Sequence, residues 1–436
     1  MELTITIGML IFFICIGVPV VFSFGAALIY AVISLGYQSG ALLPSGYSRL
    51  NTVVLLAIPL FILAGGVMER GKIGDALVKF ISLFVGKFRG GLGAVGVIAC
   101  AVFGAISGSA AATLSCIGSI MFPRLEEAGY ERGHAVPLIV NAAPLGLLIP
   151  PSSIQIIYAW SANQSVLTCF LATVGPGLML AALLCVVNWF LSRKSEKIAK
   201  AIEIQASLRE NPAAIAKKAI PALLMPVIIL GGIYSGMMTP TEAAAVSVIY
   251  AVPVGFFIYR SLTWSSFVEA LRETGTTTGV LMVMFLVVMI LSRIFVMENL
   301  PNKVIDIFLS ISSDKPIILI MINLFMILIG MLMDDVSGTL LCTPLLLPLM
   351  VQIGVSPIQF AAILGVNLGM GNITPPPPTA PLLYLGGRLG NASINQMTAP
   401  TLYMIAFAWM PTLIATTYFP FLSLALPSLF LGTRLW

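Results

Sequence analysis

The chain has 436 residues, of which 59% are hydrophobic and 9% charged, and its mean hydropathy is +1.04. A soluble domain carries about 25% charged residues, so a water-soluble surface is excluded and lipid must cover most of the protein. The formal net charge of +5 reads as membrane topology, because Lys and Arg collect in cytoplasmic loops, and not as affinity for nucleic acid.

The first apolar stretch, 5–22, has neither a basic leading region nor a small-residue cleavage site, so it is expected to be a retained helix and not a signal peptide. Further full spans are expected over roughly 24–37, 50–68, 165–191, 219–235, 240–259, 277–297 and 400–428, each near the ~20 residues a bilayer requires. Residues 193–218, rich in Lys and Arg, read as a solvated cytoplasmic linker between two halves. Residues 72–88 and 301–314 mix charges with apolar residues at helical spacing and are expected to lie along the membrane interface. The six cysteines lie in apolar stretches without a CxxC pair, so no disulfide framework or zinc site is expected.

Four apolar regions are interrupted. Residues 91–122 break at Ser107-Gly108-Ser109 and 316–351 at Asp334 to Gly338. Their arms of about 15 residues are short for spans, which predicts re-entrant helical hairpins. Residues 133–161 break at Pro150-Pro151 and 357–388 at Pro375 to Pro378, because proline lacks the amide donor and clashes with the preceding turn. Backbone groups freed at membrane depth need partners inside the protein or in a wet cavity.

The interrupted regions form a repeat. Shifting 104–158 by 226 positions onto 330–384 gives eleven identities in 55 positions, among them Gly104/Gly330, Thr113/Thr339, Asn141/Asn367, Pro150/Pro376 and Pro151/Pro377. With 193–218 placed in the cytoplasm, seventeen Lys and Arg fall on that side and four outside, which satisfies the positive-inside rule only if the two copies are inverted. Inverted repeats with discontinuous helices are a signature of alternating-access transporters, whose site lies at the repeat interface near the midplane.

Within this frame, Ser107, Gly108 and Ser109 offer hydroxyls and unwound carbonyls for Na⁺, or else small-residue helix packing. Asp334 and Asp335 can bind Na⁺, carry a proton or pair with a cation, or else sit on a shallow, wet tip. Arg293, the only Arg or Lys inside an apolar span, can hold a substrate carboxylate, pair with either aspartate or snorkel to the interface. Asn141 and Asn367 lie in the broken spans, where carbonyls near Gly146, Ile149, Pro151, Asn372 and Thr374 can be ion ligands or simply mark kinks. Thr239-Pro240-Thr241-Glu242 fits a helix-capping box. His134 is expected as a solvated side chain in a cytoplasmic loop, and no Walker motif for ATP hydrolysis, HExxH or serine–histidine–acid set is present.

The stretches IPLFILAGGVMERGKIGDALV (58–78), FGAISGSAAAT (103–113), GYERGHA (129–135), IPPSS (149–153), MTPTEAAA (238–245), GMLMDD (330–335) and ITPPPP (373–378) together resemble the large membrane subunit of TRAP transporters, the tripartite ATP-independent periplasmic carriers. The resemblance covers essentially the whole chain, in its form not fused to the small subunit, and looks nearest to the sialic-acid branch. It implies an all-α polytopic protein of the elevator-type ion-transporter class, with inverted repeats, two re-entrant hairpins and two Pro-broken helices. Scaffold helices would occupy 1–68, 162–192 and 219–297, with a C-terminal helix at 389–436. Interfacial arms would occupy 69–90 and 298–315, and the transport repeats 91–161 and 316–388, joined through the cytoplasmic loop 193–218. The resemblance further implies Na⁺ as coupling ion without ATP, uptake of a carboxylate across the bacterial inner membrane, a small four-helix membrane subunit and a soluble periplasmic binding protein. Sodium ligands would fall at Ser107, Ser109, Gly146, Ile149 and Pro151 and around the second tip, with Gly338 and Thr339, and the substrate-site arginine would be Arg293. The competing readings are a stand-alone ion-coupled acid carrier or antiporter of similar build, and a channel or intramembrane enzyme.

Overall fold

The computed structural model describes residues 2–86, 88, 90–193, 212–375 and 381–432, and among them it contains helices and no strand. The N-terminal apolar stretch is not divided where hydropathy places the boundary. Helix α1 covers Glu2–Cys15 and α2 covers Val20–Ser34, so the expected span 5–22 straddles a turn. Gly17 takes the left-handed φ of +87° there, and Pro19, extended at ψ 138°, precedes the next helix as its N-cap. Hydropathy is blind to this turn because every residue in it is apolar or small.

Helix α3 (Ser39–Leu50) was not expected from its mixed composition. Helix α4 (Ala57–Arg70) follows a short 3₁₀ turn, and α5 (Ile73–Val85) is the first of the two helices expected to lie along the interface. The first hairpin is α6 (Gly91–Ser107) with α7 (Ala110–Glu127). The first broken span comprises α8 (Arg132–Ala142), α9 (Leu145–Leu148) and α10 (Ser153–Ser161); its two parts are bent by 42°. His134 departs from expectation. It lies on α8, only partly exposed, with its ring 5.3 Å from that of Tyr130 and Nε2 sealed from solvent.

Helix α11 (Val166–Ser192) ends the first half. Most of the expected linker, 194–211, lies outside the described residues, but its end does not form a loop: α12 (Pro212–Tyr234) already begins at Pro212. Proline is favoured at a first helical position and the following alanines propagate a helix. Helix α13 (Pro240–Pro253) continues through one π turn to Ile258. Helix α14 (Trp264–Met297) runs for 34 residues, well beyond its apolar part. The expected interfacial counterpart of α5 is α15 (Leu300–Ile311), and the second hairpin joins α16 (Lys315–Leu332) to α17 (Asp335–Gln352). The second broken span has α18 (Pro357–Gly371) before the break and α19 (Pro381–Leu389) after it; Pro376 to Pro378 lie outside the described residues. The expected final span 400–428 is two helical stretches. Helix α20 (Ile394–Met404) continues through a π turn into α21 (Met410–Tyr418), and α22 (Pro420–Leu431) starts anew. Pro420 cannot donate to the preceding turn, so the helix stops before it.

Packing follows the repeat. The distal part of the first broken span, α10, packs on α17 of the second hairpin, while α19 of the second broken span packs on α7 of the first. Helix α11, which follows the first repeat, packs on α18, and α20, which follows the second, packs on α8. Each copy thus embraces the other, the relation that a pseudo-two-fold axis produces. Both interfacial helices are entered through a left-handed residue, Lys72 (φ 50°) and Asn299 (φ 59°). Helices α4 and α14 pack together, and Arg70 at the end of α4 pairs with Glu273 at 2.7 Å and more loosely with Glu269, one turn away on α14. By length and hydropathy alone eight helices among the described residues can cross a bilayer, α16 and α17 among them. Each arm is 18 residues long, longer than the expected length of about 15, and length therefore does not separate a hairpin arm from a span here; the hairpin reading rests on the correspondence with the first copy.

Candidate functional site

The first tip is built by a helix that stops and another that starts. Gly108 adopts φ +60° and ends α6, and Ser109 caps α7 by accepting from the amide of Ala112 at 3.5 Å. The Ser107 hydroxyl lies 3.0 Å from that of Thr113, and Thr113 Oγ1 donates to the Ser109 carbonyl at 2.8 Å. Ser107 and Thr113 are both essentially buried.

The first break meets this tip. Ser153 donates through its hydroxyl to the Gly108 carbonyl at 2.8 Å. A Cβ on Gly108 would stand 3.1 Å from the Pro151 carbonyl, and one on Gly146 would stand 3.0 Å from Thr113 Oγ1 and 3.3 Å from the Ser109 carbonyl. Ser107, Ser109, Gly146 and Pro151 are therefore brought together, with Ile149 in an extended conformation beside them (φ −89°, ψ 117°). Helices α6 and α9 both end here, and the last carbonyls of a helix carry its negative pole.

The second tip repeats the motif with different chemistry. Thr339 Oγ1 donates to the Asp335 carbonyl at 2.7 Å, the counterpart of Thr113 with Ser109. Asp334 is exposed and caps α17, accepting from the amides of Val336 and Ser337 at 3.1 and 3.4 Å and from the Ser337 hydroxyl. Its carboxylate is thus engaged by its own helix, whereas Asp335 is half-buried. Gly338 is buried against Leu368 of α18, and a Cβ on Gly371 would stand 2.5 Å from the Cα of Gly330.

The two asparagines behave alike. Asn141 Nδ2 donates to the Pro137 carbonyl and Asn367 Nδ2 to the Ile363 carbonyl, each at 2.8 Å. Asn367 also donates to Asn323 Oδ1 at 2.9 Å. In both, Oδ1 is buried without a hydrogen-bond partner among the described residues, as are Ser152 Oγ, Gln155 Oε1 and Asn372 Oδ1 around the breaks. Buried acceptors are nearly always satisfied in folded proteins, yet Thr52 Oγ1, Thr401 Oγ1, Ser423 Oγ and Ser428 Oγ are sealed in the same way elsewhere, so these five oxygens do not by themselves mark a site. Thr374 differs, its hydroxyl donating to the Met370 carbonyl at 2.6 Å.

Arg293 is not brought to either tip. It is exposed on α14, donates to Ser45 Oγ on α3, and forms no ion pair with Asp334 or Asp335. The tips themselves face the α4–α14 pair: Ser107 opposes Gly65 of α4, and Ser337 Oγ lies 3.0 Å from Met284 Sδ of α14. Sequence reasoning missed Thr113, Ser153 and Asn323. Thr113 was visible as a repeat identity with Thr339. Ser153 and Asn323 carry no such mark.

No group of three His, Cys, Asp or Glu side chains clusters among the described residues. Besides the Asp334 and Asp335 carboxylates, the oxygens at the tips and breaks belong to hydroxyls, amides and carbonyls, hard donors that suit a hard cation.

Comparison with known proteins gives the same frame. Residues 7–422 match the family described as tripartite ATP-independent periplasmic transporter, DctM component. The chain is 31% identical to the isethionate TRAP transporter permease protein DctMQ of Oleidesulfovibrio alaskensis over 99% of its own length and 66% of that protein. It is 35% identical to the C4-dicarboxylate TRAP transporter large permease protein DctM of Pseudomonas aeruginosa (86% of each) and 35% identical to the sialic acid TRAP transporter large permease protein SiaM of Vibrio cholerae (88% of each). Among solved structures, the YdaH transporter of Alcanivorax borkumensis superposes with a TM-score of 0.59 over 90% of this chain and 88% of that one, at 13% identity, a likeness of fold alone. By the match along nearly its whole length, this multi-pass membrane protein belongs to the DctM family of tripartite ATP-independent periplasmic transporters.

Proposed function

We propose that the chain is the large permease subunit of a Na⁺-coupled importer of a carboxylated organic solute, working by elevator-type alternating access in the bacterial inner membrane. The observation that carries this reading is the twofold occurrence of one construction. In each copy a helical hairpin tip abuts a broken helix, and unpartnered buried oxygens surround the break. Free carbonyls and hydroxyls at helix C-termini can replace the hydration shell of Na⁺, without a formal charge at the first site and with the Asp335 carboxylate at the second. Ser107, Ser109, Gly146, Ile149 and Pro151 supply the first ion site. Asp335, Gly338, Thr339, Asn372 and Thr374 surround the second, with Asp334 holding the tip in shape.

The substrate lies between the copies, near Asn141 and Asn367; Arg293, exposed on α14 against Ser45, would meet its carboxylate only where transport movement brings the repeats to that face of α14. Relatives whose names specify isethionate, C4-dicarboxylate and sialic acid are similar to this chain at 31–35% identity. Organic anions are their common denominator, and the equal likeness to the last two leaves the sialic-acid branch without preference. A small membrane subunit and a soluble binding protein that delivers the solute complete the transporter.

The test is uptake into proteoliposomes holding the chain, its small subunit and the loaded binding protein. Replacing external Na⁺ by K⁺ is expected to abolish accumulation. Undiminished uptake driven by a proton gradient in Na⁺-free buffer would reject the coupling.

A further inference from the structure

Five non-glycine residues among those described take a left-handed φ, and three of them stand at just two places in the fold. Such backbone conformations persist only where the surroundings hold them, and they gather at switch segments. At the first place, α4 gives way to α5 through Gly71 and the left-handed Lys72 (φ 50°), and the Gly71 carbonyl accepts from the Ser261 hydroxyl. Ser261 directly follows Arg260, itself left-handed at φ 53°, just past the π turn that ends α13. At the second place, α14 gives way to α15 through Glu298 and the left-handed Asn299 (φ 59°), and Glu298 Oε1 accepts from the Tyr37 hydroxyl at 2.7 Å. Tyr37 directly follows Gly36, left-handed at φ 71°, just past the end of α2.

One construction thus occurs twice. In each, a left-handed residue is followed by a hydroxyl, and that hydroxyl holds the residue standing immediately before the left-handed turn between two other helices. The fastening is crossed between the halves of the chain, for α2 holds the α14–α15 junction and α13 holds the α4–α5 junction. Helices α2 and α13 share the run Ile-Tyr-Ala-Val, at 29–32 and 249–252, and they pack on α14 and α4 respectively. Beyond the junctions, α5 packs on α6 of the first hairpin and α15 on α17 of the second. Each fastened junction therefore leads, by chain and by packing, into a hairpin. Large movements are absorbed by a few residues at element ends. Holding one residue of such a junction confines the change in φ and ψ to the residues after it.

We infer that Tyr37 and Ser261 are positioning residues for transport: each pins the fixed side of a hinge, at Glu298 and Gly71, so that α15 and α5 turn with their hairpins at Asn299 and Lys72 while α14 and α4 stay in place. This rests on the elevator movement proposed above. Without its pin, the change in φ and ψ spreads back into the last turn of α14 or α4, and the hairpin loses a defined path.

The test joins turnover of the complete transporter in proteoliposomes to spin-label distances and the unfolding midpoint of the full-length protein. One label pair, Ile29→Cys with Val351→Cys, spans α2 to α17, and the other, Ile249→Cys with Ser119→Cys, spans α13 to α7; all four positions are exposed. Cys15→Ala and Cys185→Ala remove the accessible native thiols. Tyr37→Phe and Ser261→Ala are each expected to lower turnover about fivefold, the equivalent of one hydrogen bond, and to broaden the matching distance distribution while the midpoint holds. Glu298→Gln keeps an acceptor and Ser261→Thr keeps the hydroxyl, so both retain turnover. Tyr250→Phe loses a similar bond, to the Pro221 carbonyl at 2.8 Å, away from either junction, and changes neither turnover nor distances. Unaltered turnover and distances in Tyr37→Phe and Ser261→Ala overturn the inference, and so does Tyr250→Phe matching them. The distances need neither coupling ion nor solute, so proton-driven uptake would sink the sodium reading and leave the pins standing. A single narrow distance for the unsubstituted hinges in both Na⁺ and K⁺ buffers would sink the elevator movement, and the pins with it.

Discussion

Gly104 of the first hairpin and Gly146 of the first broken span meet backbone to backbone. A Cβ on Gly104 would stand 2.7 Å from the Gly146 amide nitrogen, and one on Gly146 would stand 3.1 Å from the Gly104 Cα. Gly330 and Gly371 repeat this contact in the second copy. Since the neighbour is backbone in every case, no rotamer change can make room. Gly104→Ala and Gly371→Ala are each expected to lower stability by about 1–3 kcal/mol, the usual cost of overpacking, and to abolish uptake by displacing the tip. Gly25→Ala, where a Cβ meets nothing within 4 Å, is the control and should leave the unfolding midpoint unchanged or raise it. Equal midpoints for Gly104→Ala and Gly25→Ala would show that the two backbones do not touch.

Thr113 tests whether the first tip is an ion site or only packing. Its hydroxyl donates to the Ser109 carbonyl and touches that of Ser107, while valine would fill the same volume. If the small residues serve packing, Thr113→Val is nearly silent. If they order ion ligands, losing a buried hydrogen bond of about 1–3 kcal/mol raises the half-saturating Na⁺ concentration about tenfold or more. Sodium titration of uptake, with the unfolding midpoint as a check on folding, decides between them.

The hairpins and breaks were legible because each is written in residues that cannot continue a helix in lipid: Gly108, Pro150 and Pro151, and Asp334. That Ser107, Ser109, Gly146 and Pro151 come together was legible for the same reason, since it is the interruptions that meet. Other features left no such trace. The turn at Gly17 hides inside a run of apolar residues, and α3 has no amphipathic signal strong enough to separate it from a loop. His134 reads as a solvated residue because it stands among Arg132, Glu131 and Gly133, yet the fold turns its ring onto Tyr130. Arg293 shows the limit most clearly. A lone cation in a span narrows its roles to a few, but only the packing of α3 on α14 supplies Ser45 as its neighbour.

Asn323 and Asn367 join α16 of the second hairpin to the broken helix α18 through a buried hydrogen bond of 2.9 Å, and Asn323 continues the chain to Thr417 Oγ1 at 3.0 Å. Polar pairs within membranes contribute modestly, about 0.6 kcal/mol on average. A double-mutant cycle of Asn323→Leu and Asn367→Leu on the unfolding free energy is expected to give a coupling of that order. The single variants should differ in transport. Asn367→Leu also removes the sealed Oδ1 and should impair uptake, whereas Asn323→Leu removes only its partner. Identical losses of uptake would assign the orphan oxygen no part in transport.

The capping box at α13 separates stability from mechanism. Thr239 Oγ1 accepts from the Glu242 amide at 3.3 Å, and the Glu242 carboxylate accepts from the Thr239 amide at 2.7 Å. Thr241, one turn position on, donates to the Val53 carbonyl at 3.1 Å and so fixes the start of α13 beside the entry to α4. These groups are exposed and point at neither tip, so their effect is on the helix end. Thr239→Ala is expected to cost about 1 kcal/mol of stability, read as a lower unfolding midpoint. Glu242→Gln, which keeps a hydrogen-bonding side chain at the third helical position, is expected to cost less. Neither should change the sodium dependence of uptake. A shift in half-saturating Na⁺ for Thr239→Ala would mean that α13 moves with the ion sites.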